Sequence, residues 1–87
     1  MIFAKKHLGQ NFLIDRNVIN NIITELKLTE DDIVLEIGPG HGEITNLIVD
    51  RVKRIFACEI DKKLAQGLER KFLGHSNIKV INSDFQN

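Results

Sequence analysis

The chain has 87 residues, 43% of them hydrophobic and 28% charged, which leaves room for one compact domain and is too apolar a composition for a disordered polymer. Its 12 Lys and Arg balance 12 Asp and Glu, so no global basic field advertises a nucleic-acid partner, and only Lys5, Lys6, His7 and Arg16 make the beginning locally positive. One cysteine, Cys58, excludes an internal disulfide framework and a zinc site built on a cysteine pair; nothing resembles a signal peptide or a membrane span, and a reducing, cytoplasmic setting is expected.

Residues 15–26 carry Val18, Ile19, Ile22, Ile23 and Leu26 at three- and four-residue steps, with Asp15 available as an N-cap, and this predicts an amphipathic helix. A polar turn over 29–32 leads into Ile33-Val34-Leu35-Glu36-Ile37, a short and nearly continuous apolar run that predicts a buried parallel strand. From Glu43 the spacing of Ile44, Leu47, Ile48 and Val52 is helical, and residues 54–60 (Ile55, Phe56, Ala57, Cys58 within them) form a second strand pattern. Asp61 caps another helix, with Leu64, Ala65, Leu68 and Phe72 facing inward and Gly74 as its stop; residues 78–81 make a third strand.

The expected fold is therefore α/β: a leading helix, then βαβαβ, with right-handed crossovers placing the three strands in a parallel sheet of order 3-2-1, half of a doubly wound fold. Residues 1–28 form the leading part and 29–87 the βαβαβ unit of one domain. The first of the three strands is expected to be central in a complete sheet, and its free side has no partner in the pattern, which predicts an apolar open edge and a chain that is the front part of a larger protein.

Ligands of open parallel sheets sit beyond the carboxyl ends of the strands. The first exit is Gly38-Pro39-Gly40-His41-Gly42, a bend whose glycines let a ligand approach the main chain closely. The dinucleotide fingerprint requires a glycine at 43, where Glu43 stands. A carboxylate at the mouth of the next helix repels pyrophosphate but suits S-adenosylmethionine, which has no phosphate and a positive sulfonium.

The second exit is Glu59, 21 residues after Gly38, a spacing that places an acid to accept hydrogen bonds from the ribose hydroxyls of an adenosine; its alternative role is to cap the following helix. The third is Asp84, which can accept from the exocyclic amine of adenine, with Phe85 against the ring, or serve as an ordinary turn residue. Glu36 is expected to accept from loop amides. Asp31 and Asp32 read as turn residues and Cys58 as buried filler, and His41 and His75 lack partners at metal-ligand spacing, so no metal site is expected.

On these residues the sequence resembles the ribosomal RNA adenine N6-dimethyltransferases that modify the small subunit, over essentially the whole chain. Lys6-His7-Leu8-Gly9-Gln10-Asn11-Phe12-Leu13 resembles the family's leading motif, in which Asn11 and Leu13 match cofactor-contacting positions. Residues 34–42 resemble its glycine motif, Glu59-Ile60-Asp61 its ribose-binding acid and Asp84-Phe85 its adenine-binding pair. The resemblance implies a Rossmann-like fold, S-adenosylmethionine as cofactor, ribosomal RNA as partner and methyl transfer to adenine N6. Gly9 and Pro39 favour this group over the related macrolide-resistance enzymes of the large subunit, which generally have serine at the place of Gly9.

The family's Asn-Leu-Pro-Tyr type motif, which holds the target adenine, has no counterpart here, because the single proline is Pro39. No catalytic residue is therefore assigned, and the chain by itself is expected to be inactive. A non-catalytic nucleotide-binding or assembly module is the alternative from a different functional class.

Overall fold

The computed structural model describes residues 2–5 and 16–84, giving the backbone alone for residues 2–5, 16 and 18. The elements are β1 (Ile2–Lys5), α1 (Arg16–Leu26), β2 (Ile33–Ile37), α2 (Glu43–Ile48), β3 (Arg54–Glu59), α3 (Lys62–Lys71) and β4 (Ile78–Asn82). All four strands are parallel in the order β1-β2-β3-β4. The three strands foreseen from sequence pair in the expected order.

The edge expected to be open is closed. Ile2–Lys5 runs parallel to β2, with Phe3 opposite Leu35 and Lys5 opposite Ile37. The described fold thus begins with a strand before the leading helix, and β2 has a partner on each side. The physical reason is the exposed ladder of a central strand: unpaired N–H and C=O groups at an apolar edge are costly, and a short Ile-Phe-Ala run satisfies them.

One face of the sheet carries the core. Register pairs Val34 with Ile55 and Glu36 with Ala57, and then Ile55 with Ile78 and Ala57 with Val80, so these side chains share a face. Val34, Ile55 and Ala57 are buried there under Ile19 and Ile23 of α1, Ile48, Val49 and Val52 at α2, Leu68 of α3 and Phe72 just after it. Each large apolar side chain removed from water contributes about 1.5–3 kcal/mol, so this cluster is the main source of cohesion. The opposite face, with Ile33, Leu35, Ile37, Phe56 and Ile81, is only half-buried.

The apolar stripe of α1 is narrower than its spacing suggests. Ile19 and Ile23 are buried, whereas Ile22 is 55% and Leu26 39% exposed. A helix crossing a sheet presents one line of side chains to it, and the flanking positions stay in water. At the amino ends of the strands, the Asn77 side chain donates to the Val49 and Val52 carbonyls at 2.7 and 3.2 Å, tying the end of α2 to the entry of β4. No helix among the described residues is long and apolar enough to cross a membrane.

Candidate functional site

The exits of β2, β3 and β4 lie side by side. Ile37 pairs with Cys58 and Glu59 with Asn82, and the Gly38 amide donates to the Cys58 carbonyl at 2.8 Å. The glycine bend, the acid ending β3 and the turn after β4 therefore occupy one rim of the sheet, where parallel folds hold ligands.

The bend is built from left-handed backbone. Gly38, Gly40 and Gly42 have φ of 67°, 62° and 82°, values that cost an L residue roughly 1–2 kcal/mol. Gly42 has a second, independent requirement. A Cβ there would sit 2.9 Å from both Leu68 Cδ2 and Phe72 Cε2, so the absence of a side chain lets α3 pack against the start of α2. The Gly42 amide donates to the Pro39 carbonyl at 3.0 Å, and the Gly42 carbonyl accepts from Asn46 at 2.8 Å, which converts the bend directly into a helix.

Glu59 is fully buried and links the bend to the next turn. Its Oε1 accepts from the Gly40 amide at 2.9 Å, and its Oε2 from the Asp61 amide at 3.0 Å. The helix-capping alternative belongs to its neighbour: Asp61 is the N-cap of α3 and accepts from the Leu64 amide at 3.0 Å. A carboxylate offers about four lone-pair positions, so these two amides leave acceptor capacity for hydroxyl donors. The sequence spacing pointed to Glu59, while its bond to Gly40, 19 residues away, depends on the loop's conformation and had no local signal.

Two further residues, Thr45 and Asn82, shape the rim. The Thr45 hydroxyl, in the first turn of α2 and fully buried, donates to Glu36 Oε1. The Asn82 amide donates to the Glu59 and Ile60 carbonyls at 2.8 and 3.0 Å, clamping the β3 exit against β4. Neither carries a sequence signal for this role, because a polar side chain's long-range partner is invisible in a single sequence.

Asp84 lies two residues beyond β4 and is exposed. Asn11, Leu13 and Phe85 lie outside the described residues. Cys58, buried at the end of β3, has its thiol pushed up by desolvation, which keeps it a neutral packing group. Asp32 accepts from the Thr29 amide at 2.7 Å in the turn before β2. Among the described residues no group of three His, Cys, Asp or Glu side chains could hold a metal ion.

A parallel sheet whose neighbouring strands end in a left-handed glycine bend and a buried acid has the architecture of a truncated Rossmann-like fold. Residues 2–87 match the family described as Ribosomal RNA adenine dimethylase. The chain belongs to that family. It is 49% identical over 79 residues to the Ribosomal RNA small subunit methyltransferase A of Halothermothrix orenii, covering 91% of this chain and 26% of the relative. To the same-named protein of a Sulfurihydrogenibium species it is 49% identical over 85 residues, covering 97% and 33%.

Among solved structures it is similar to the 23S rRNA methyltransferase ErmE, at 45% identity and TM-score 0.76 over 86% of this chain and 31% of that one. A dimethyladenosine transferase from Plasmodium falciparum aligns at 28% identity and TM-score 0.77, over 86% and 28%. The chain thus spans about a quarter to a third of the length of the curated relatives just described.

Proposed function

We propose that the chain is the S-adenosylmethionine-binding part of an enzyme that methylates N6 of adenines in small-subunit ribosomal RNA. The observation that carries this reading is the rim itself: a glycine bend whose Gly40 amide is held by Glu59, in a chain matched to the adenine dimethylase family over residues 2–87. The donor chemistry fits the residues. Glu43 stands in the first turn of α2, where a carboxylate disfavours a phosphate and tolerates a sulfonium.

In this reading Gly38 and Gly40 approach the cofactor by backbone, Glu59 accepts from the ribose hydroxyls and Asp84 from the adenine amine, while Asn11 and Leu13 cover the methionine end. When bound, the cofactor supplies an electrophilic methyl group on sulfur. These residues would hold the cofactor, orient its methyl group toward the incoming nitrogen and exclude water. Metal plays no part in the scheme, and the setting is cytoplasmic, in keeping with ribosomal RNA as partner.

The experiment is a calorimetric titration of the chain with S-adenosylhomocysteine and with NAD, followed by incubation of the complete protein with undermethylated small subunits and labelled cofactor. Binding of the first ligand alone, and label in small-subunit adenine, is expected. Preference for NAD, or no label in small-subunit adenine, would contradict the reading. The 87-residue chain by itself is expected to bind cofactor without turnover.

A further inference from the structure

A groove of about 510 Å³ lies between the glycine bend and the flank of α3, lined by Gly40, His41, Lys63, Gly67, Arg70 and Lys71 together with two leucines. In a chain with no net charge, its lining contains three permanent cations and no carboxylate. Helical geometry explains the segregation: positions 63, 67, 70 and 71 share one side of α3, and Glu69 falls on the other. Lys71 Nζ also donates to the His41 carbonyl at 3.0 Å, which ties the cationic wall to the bend.

Gly67 is a second and independent feature. It sits inside α3, where glycine weakens a helix, and a Cβ built on it meets nothing within 4 Å. Packing therefore does not require glycine at this position. What the missing side chain leaves is a recess in the groove floor, with Lys63 four residues before it and Arg70 and Lys71 three and four residues after it. We infer that this groove is a docking site for the sugar-phosphate backbone of RNA, with Lys63, Arg70 and Lys71 neutralising phosphates over the floor at Gly67. The choice of polyanion rests on the RNA-methylation reading; the groove adjoins the Glu59 rim at Gly40, while its cations lie on the flank of α3 and would extend the grip on substrate beyond the target base. Backbone contacts of this kind position RNA without reading its sequence.

The test is RNA binding by the chain, read from the anisotropy of a fluorescein-labelled single-stranded RNA of mixed sequence at increasing salt, with S-adenosylhomocysteine titrated in parallel. The combined Lys63→Gln, Arg70→Gln and Lys71→Gln variant is expected to lose affinity on the order of tenfold at low salt, and the slope of log affinity against log salt should fall by about 2. Its S-adenosylhomocysteine affinity should hold. Arg51→Gln, Lys53→Gln and Arg54→Gln together remove as many charges at the opposite end of β3 and should change RNA affinity by less than about twofold.

Gly67→Leu, which keeps every charge, should weaken RNA binding several-fold while the helical signal is kept. Equal losses in the groove and control variants would overturn the inference, as would wild-type affinity in Gly67→Leu, or no RNA binding by a chain that still takes S-adenosylhomocysteine. RNA held in the groove by a chain that refuses S-adenosylhomocysteine would support the groove and contradict the methyltransferase reading.

Discussion

The exits of β3 and β4 are neighbours on one rim and differ in how much of their geometry is set before any ligand arrives. At β3, Glu59 is fully buried with both oxygens engaged by the Gly40 and Asp61 amides, and its main chain is clamped by Asn82. At β4, Ser83 and Asp84 are exposed. A ligand therefore meets a buried, preorganised wall on one side, where little freedom remains to be lost, and solvent-exposed side chains on the other. The β3 side should therefore dominate stability and affinity together, and the β4 side should adjust affinity alone.

The strongest challenge to that contrast is Gly42→Ala, which places a Cβ against Leu68 and Phe72 at a positive φ. A loss of roughly 2–4 kcal/mol in denaturant unfolding is expected from overpacking and backbone strain combined; a loss below about 0.5 kcal/mol would show that the bend is not held rigidly against α3.

Next is Glu59→Gln, which sets an amide N–H₂ against a backbone donor at Gly40 or Asp61. It should cost roughly 1–3 kcal/mol of stability and weaken S-adenosylhomocysteine binding about tenfold to a hundredfold in calorimetry, by the loss of charge-assisted bonds. Asp84→Asn probes the β4 exit. Stability should change by less than about 0.5 kcal/mol, with affinity falling several-fold at most; an unfolding shift as large as that of Glu59→Gln would erase the distinction between the two exits.

The smallest effect is a pH dependence at the buried end of β3. Burial raises the Cys58 thiol above its ordinary value. The unfolded chain then releases its proton first as pH rises, so the contribution is fully present at neutral pH and is lost through the alkaline range above the ordinary thiol value. Cys58→Ala should flatten the alkaline limb of a stability-against-pH curve, and native alkylation of the thiol should be slower than in the unfolded chain.

Much of this architecture was legible in the sequence, because buried strands such as Ile33–Ile37 and one-sided helices such as Lys62–Lys71 write their periods into the chain. Two features were not. The strand Ile2–Lys5 is four residues long and ends in a lysine at the start of a polar run, so it has neither length nor alternation to announce it; only the need of β2 for a neighbour could be read. The exposure of Ile22 and Leu26 shows the converse, since spacing reports a stripe and the width of the surface beneath it decides how much is buried. At the site, the position of Glu59 followed from its distance to Gly38, whereas its grip on Gly40 depends on the left-handed conformations of Gly38, Gly40 and Gly42 together, which the spacing alone does not specify.

The proposed adenosine pocket has Gly40 and Glu59 as one wall, and amide-resolved NMR of the chain titrated with S-adenosylhomocysteine tests this most directly. The largest shifts should fall on the Gly38, Gly40 and Asp61 amides, with smaller ones at Asp84 and none at Asn77 on the opposite end of the sheet. Saturable shifts clustered away from the rim, with Gly40 and Asp61 unmoved, would contradict it.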